Sequence, residues 1–235
     1  MLLALDTATR HSGIALFDGQ QLVAELTWHS TDAQTVELMP RLVQLLSWLR
    51  LEPEALTAIA VSMGPGSYTG LRVAVSAAKG LALAHSLPLL GIPTLDATAF
   101  PHLGRPEPVC AVVQAGRGRI CWSTYWPEAA IGTERLPDGV EAATVGEWKG
   151  VRTAYALSDV IEMAAAVREP TFFVGELPAA LREQLQAILG KHARLASITV
   201  APRRAGALAE LAWYRLQAGD SDDLAALSPI YLREP

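Results

Sequence analysis

Two mixed α/β lobes joined by a proline-bearing linker are the fold class this chain predicts, and three observations carry it. The first hundred residues read as three paired strands followed by alternating helices and strands. Pro101, Gly104, Pro106 and Pro108 then interrupt the chain, and after them paired strands and helix–strand alternation begin again, in a more blurred copy. At 235 residues, with 51% hydrophobic and 18% charged side chains, the chain holds enough apolar material for one large domain or two small lobes. The expected lobes are 1–103 and 104–235, with the tail from about 220 to 235 returning to the first.

Leu2–Ala8 is apolar apart from Asp6 and Thr7. The polar turn Thr9-Arg10-His11-Ser12 leads to a second strand, Gly13–Phe17, and Asp18-Gly19 makes a tight turn into a third, Gln21–Thr27. A helix is expected over Ala33–Leu49, because Val36, Met39, Leu42, Val43, Leu46 and Leu49 recur at spacings of three and four. Leu38 and Leu45 widen that face, and Pro53 marks the stop. Thr57–Met63 reads as a buried strand. The turn Gly64-Pro65-Gly66-Ser67-Tyr68-Thr69-Gly70 joins it to a helix of small residues running to about His85, with Thr69 at the N-cap, and Leu87–Ile92 is a further short strand. Beyond the linker come strands at Val109–Val113 and Ile120–Tyr125 around a Gly116-Arg117-Gly118 turn. The polar stretch to about residue 150 shows no period. Helices at Val160–Val167, Pro178–Leu189 and Ala205–Ala218 alternate with strands at Thr171–Val174 and Leu195–Val200.

The net charge of −5 argues against a nucleic-acid footprint spread over the whole surface. Arg117 with Arg119, and Arg203 with Arg204, remain as local basic doublets, for which a solvated turn is the commoner reading. Cys110 and Cys121 lie in apolar runs and make neither a disulfide framework nor a zinc spacing. The N-terminal residues lack the pattern of a signal peptide. The longest apolar stretch, about 71–92, is broken by Arg72, Lys79, His85 and Pro88, so the expectation is a cytoplasmic chain that does not enter a membrane.

Four chemistries compete for the conspicuous segments. Metal hydrolysis lacks a ligand pair: His11, His29, His85, His102 and His192 are never three to five residues apart. A serine nucleophile at Ser62 or Ser67 has no Gly-x-Ser-x-Gly frame, and His85 stands about 20 Å away at the standard helical rise. A nucleotide site is the more serious option. Asp6-Thr7-Ala8-Thr9 ends the first strand where a phosphate or its magnesium could sit, and Gly64–Gly70 offers amides at a helix start. Yet Gly-x-x-x-x-Gly-Lys-[Ser/Thr] is missing, and Thr7 and Ala8 carry side chains where bare backbone would suit a phosphate. The plainer reading of Asp6 is an aspartate capping its own turn. The fourth option is an interface. Ala74, Ala78 and Ala82, with Leu71, Val75, Ala77 and Gly80, give the second helix a thin apolar surface, while Val36, Met39 and Val43 extend the first beyond one core contact. Burial of this surplus against another chain is favoured over simple core packing.

Leu3-Ala4-Leu5-Asp6-Thr7-Ala8-Thr9, Ala58–Arg72 with its glycine turn, Ala77-Ala78-Lys79-Gly80-Leu81-Ala82 and the tail Pro229-Ile230-Tyr231-Leu232-Arg233 together resemble the TsaB (YeaZ) family. The likeness is strong over 1–100, thin over 101–225 and returns at the tail. It implies a two-lobed actin/Hsp70/sugar-kinase-like fold in a bacterial protein needed for threonylcarbamoyladenosine at position 37 of tRNAs reading ANN codons. In such a protein the chain is not the catalyst and holds no cofactor. It docks a related metal-binding subunit, TsaD, which transfers the threonylcarbamoyl group, while an ATPase subunit, TsaE, also joins. The same helices make a homodimer when TsaD is absent, and tRNA is met through the complex. Two departures stand out. Gln34 replaces a histidine common before Leu38-Met39-Pro40, and Gln114-Ala115-Gly116-Arg117-Gly118-Arg119-Ile120-Cys121 replaces Asp-Ala-Arg-x-Gly-Glu-Val-Tyr, with loss of a carboxylate and charge reversal at Arg119.

Overall fold

The structure is a computed structural model that describes residues 1–31, 33–131, 136–137 and 139–232; Arg233 of the tail motif lies outside them. It divides into two compact units. One comprises Met1–Ala97 with Arg204–Tyr231, and the other is built on Thr98–Arg203.

The first unit is a five-stranded sheet in the order β3-β2-β1-β4-β5. The expected meander forms β1 (Leu2–Asp6), β2 (His11–Phe17) and β3 (Leu22–His29), paired antiparallel. After α1 (Gln34–Leu49), β4 (Ala58–Ser62) adds parallel to β1. After α2 (Tyr68–His85), β5 (Leu89–Ile92) adds parallel to β4. Strand alternation gives the sheet two apolar faces. Leu3, Leu5, Ile14, Leu16, Ile59 and Val61 pack under α1 and α2, joined by Leu38, Leu42, Leu45, Ala74 and Ala78. The other face is covered by α6 (Ala205–Gln217), where a Cβ added to Gly13 would meet the Ala205 Cβ at 3.0 Å.

The chain therefore returns to the first unit at Arg204 rather than near residue 220, and it leaves at Ala97 rather than at 103. The physical reason is the second sheet face: without α6 it would be bare. The Glu25 carboxylate on β3 ties the start of α6 down, accepting from the Arg204 guanidinium and from the Gly206 backbone N–H. The tail follows, with Asp222 bonded to Gly91 and Ile230 N–H donating to Met63 O at 2.7 Å.

After β5 the chain forms α3 (Thr94–Ala99), which showed no signal in the sequence because it is only about a turn and a half long. The second unit is a seven-stranded sheet, ordered β12-β11-β6-β7-β9-β8 with β10 also paired to β7. Its members are β6 (Val109–Gly116), β7 (Arg119–Pro127), β8 (Glu141–Val145), β9 (Trp148–Arg152), β10 (Ala156–Ser158), β11 (Thr171–Gly175) and β12 (Ala193–Leu195). Helices α4 (Val160–Ala165) and α5 (Ala179–Leu189) pack on Cys110, Val112, Ile120, Trp122 and Phe173. The strand expected at Leu195–Val200 is instead the short β12; only Ala193–Leu195 finds a partner, in β11, and the next residues turn away. No helix among the described residues is long and apolar enough to cross a membrane.

Candidate functional site

The turn between β1 and β2 is closed by its own side chains. Asp6 is 2% exposed, and its Oδ1 accepts from Ala8 N–H at 2.9 Å and from Ser62 Oγ at 2.8 Å. Thr7 Oγ1 donates to Gly70 O at 2.6 Å, and Thr9 Oγ1 accepts from His11 N–H at 3.2 Å. The three residues considered for a phosphate or cofactor thus bind backbone, as an Asx turn and its neighbours do.

The glycine turn packs directly onto that closed turn. A Cβ on Gly66 would stand 2.3 Å from Ala8 O, and one on Gly70 would stand 2.0 Å from Thr7 O. These glycines bring two backbones into contact. Gly64 has φ +103, which an L side chain avoids, and a cis bond joins it to Pro65. Thr94 clamps the same residue from both sides, accepting from Gly64 N–H at 3.0 Å and donating its own N–H to Gly64 O at 2.8 Å. Helix-start amides attract anions when they are free. Here Ser67 N–H donates to Ala8 O, Gly70 N–H to Ser67 Oγ and Leu71 N–H to Ser67 O. The N-cap is Ser67, not Thr69, which sits inside the first turn of α2.

The two helices bury their apolar residues differently from the pattern their spacing suggests. On α1, Leu38, Leu42, Leu45 and Leu46 form the buried face, while Val36 and Val43 are 70% and 62% exposed and Met39 is also at the surface. On α2, the residues expected to dock, Leu71, Ala74, Val75, Ala78 and Ala82, are all buried within the unit. The helix lies against both α1 and the sheet, so its small residues are consumed by that contact. Its exposed residues include Arg72, Ser76, Gly80, Leu83 and Ala84, with Val73 and Ala77 half-buried against the core; Leu83 is 71% exposed, and the space over Gly80 is open. Beside α1, Trp28 Nε1 donates to Glu37 Oε2 at 2.9 Å and the Arg41 guanidinium stacks 4.8 Å over the Trp28 ring. Hydrogen bonds from Ser30 and Trp28, with the Arg41 charge, hold the Glu37 carboxyl below its usual range.

Side chains able to bind metal or attack a substrate are dispersed. Among the described residues no three of His, Cys, Asp and Glu converge on one point. Sequence spacing missed one pair, His11 and His29, which cross-strand register brings edge to face at 5.3 Å. Burial pushes the Cys110 thiol up to about 12 and Cys121 up to about 11. Both are poor nucleophiles.

Against this geometry, a model of the TsaD family, described as tRNA N6-adenosine threonylcarbamoyltransferase, matches residues 29–235. This chain belongs to that family. Within it the chain is of the TsaB (YeaZ) type. The TsaB protein of Bacillus subtilis is 26% identical over 232 residues, spanning 99% of this chain and 93% of its own. That of Escherichia coli is 29% identical over 168 residues, 66% of this chain and 71% of its own. Among solved structures, YeaZ from Pseudomonas aeruginosa superposes with a TM-score of 0.69 at 22% identity, covering 97% of this chain and 99% of that one. The shared fold is two mixed sheets with flanking helices, the two-lobed actin/Hsp70/sugar-kinase-like class expected of a TsaB protein.

In this TsaB-type chain the altered hairpin between β6 and β7 is well formed. Gln114 uses its backbone N–H to reach Glu176 Oε2 at 2.9 Å and its side-chain Nε2 to reach Glu176 O at 3.3 Å. An aspartate at 114, as in the family pattern, would face that carboxylate with a second negative charge. Gln34, the other departure, is buried at the start of α1.

Proposed function

We propose that this chain acts in threonylcarbamoyladenosine biosynthesis on tRNA, as the names of its TsaB relatives state for them. Its role is that of a non-catalytic scaffolding subunit. It docks and stabilises a TsaD-type catalytic subunit that adds the threonylcarbamoyl group to N6 of adenosine 37 in tRNAs reading ANN codons. A TsaE-type ATPase joins the complex, ATP and metal are used by these partners, and the chain pairs with itself when the catalytic subunit is absent.

The observation that carries the reading is the exposed apolar side chains of α1, Val36, Met39 and Val43, together with Leu83 on α2. Burying such side chains contributes about 1.5–3 kcal/mol each, comparable to the association cost of about 4–15 kcal/mol. A flat contact made by both helices of each partner, self-complementary about a two-fold axis, would add the remaining area through Ser76, Ala77 and Gly80. Met39→Glu with Val43→Glu is expected to abolish co-purification with the TsaD-type subunit and the chain's own dimer, and to remove its support of tRNA modification. Retention of the heterodimer would overturn the docking face. The rival, a nucleotide-dependent kinase or hydrolase using Asp6 and the Gly64–Gly70 turn, would require micromolar ATP–magnesium binding that Asp6→Asn removes. The bonds already made by Asp6, Thr7 and Ser67 speak against it.

A further inference from the structure

The tip of the β6–β7 hairpin is cationic and open, and among the described residues no carboxylate pairs with its two arginines. Arg117 has φ 54 and Gly118 φ 74 in the two-residue turn, a first position that Asn, Asp or Gly adopts at less cost than Arg. A Cβ on Gly116 or Gly118 would meet nothing within 4 Å, so the tip stands clear of the chain around it. Among the described residues neither the Arg117 nor the Arg119 side chain makes a salt bridge, hydrogen bond or ring contact, although the Arg119 charge is felt by the buried Cys121 thiol two residues on. Other arginines are engaged: Arg41 with Glu37, Arg152 with Glu141, Arg204 with Glu25 and Arg215 with Asp222. Arg50 and Arg168 are likewise unpaired, but each stands alone.

We infer that Arg117 and Arg119 contact the phosphate backbone of the RNA substrate, an inference that rests on the tRNA-modification reading above. An arginine fork matches phosphate oxygens bidentately and needs neither a pocket nor an apolar neighbour. A protein interface, by contrast, buries an apolar centre, which this glycine-flanked tip does not supply. With a net charge of −5 the chain repels a polyanion on average. An isolated cationic point therefore sets where and in which orientation RNA approaches, without reading its sequence.

The test is the double variant Arg117→Asn with Arg119→Gln in the complex with its TsaD-type and TsaE-type partners, titrated with labelled tRNA between 50 and 200 mM salt. Arg117→Asn places a residue favoured at that turn, so thermal stability is expected to hold or rise while tRNA affinity falls on the order of ten-fold. The slope of log affinity against log salt should flatten by about 1.4–1.8, for two lost phosphate contacts. Unchanged affinity and slope in a complex that assembles normally would overturn the hairpin contact and leave the docking role intact. Weakened binding to the protein partners with tRNA affinity unchanged would overturn it in favour of a protein contact. A wild-type chain that fails to enter the complex would overturn both readings.

Discussion

Gly66 and Gly70 let two stretches of backbone touch, and their substitution should be costly out of proportion to its size. The Ala8 and Thr7 carbonyl oxygens that an added methyl would strike are themselves bonded or fixed in the β1–β2 turn, so no flexible side chain can give way. Gly70→Ala is expected to destabilise the first unit by about 3 kcal/mol, and Ser67→Ala by about 1 kcal/mol through loss of the cap; urea unfolding measures both. The buried thiols give a pH signature. Cys110 ionises near 9.0 when unfolded and near 12 when folded, so the folded state holds the proton more tightly. Its contribution is fully present below pH 9 and is lost as pH rises towards 12. Stability measured from pH 8.5 to 11 should fall less steeply in Cys110→Ala, and native Cys110 should resist alkylation at pH 8. At this scale the sequence was legible where the bond is local: Asp6 caps its own turn as its position suggests. It was illegible where the bond is distant. Ser67 rather than Thr69 starts α2 because Ser67 N–H is held by Ala8, fifty-nine positions earlier in a different element.

Helices α1 and α2 show why periodicity locates a helix better than it orients one. Apolar residues surround most of both, so spacing alone admits several inward faces. The sheet selects one: leucines 38, 42, 45 and 46 of α1 turn in, and Val36, Met39 and Val43 are the surplus. On α2 the thin Ala74–Ala78–Ala82 face, which looks suited to another chain, serves instead the close contact with α1 and β4. The consequence separates two variants. Ala78→Glu, with Ala78 0% exposed, should unfold the first unit at a cost above about 4 kcal/mol by burying an unpaired charge. Met39→Glu and Val43→Glu should leave the melting temperature within a few degrees and change only the oligomeric state seen in sedimentation. Strands β8, β9 and β10 were unreadable for a different reason. They are short, half-exposed and stabilised by neighbours across the sheet, so they carry neither a continuous apolar run nor clean alternation.

At the level of the whole molecule, the sequence disclosed two units but not how the chain is shared between them. Pro101–Pro108 has the composition of a linker, yet the division falls before it at Ala97 and again at Arg203, because what defines a unit is a covered sheet. Residues 98–203 contain their own sheet and the helices that cover it. Expressed alone they should unfold cooperatively, whereas residues 1–97 alone should show no cooperative transition until 204–231 is supplied in trans. Circular dichroism during urea titration of the two fragments checks this.

The split composition of the first unit also fixes a moment in the life of the polypeptide. Helices α1 and α2 leave the ribosome early, but the opposite face of their sheet is covered only when residues 204–231 have been made, after residues 98–203. A first unit with both sheet faces covered therefore waits for residues 204–231. A chain cleaved before Arg204 is left with α1 and α2 on a sheet whose other face is bare, and its sensitivity to limited proteolysis should rise accordingly.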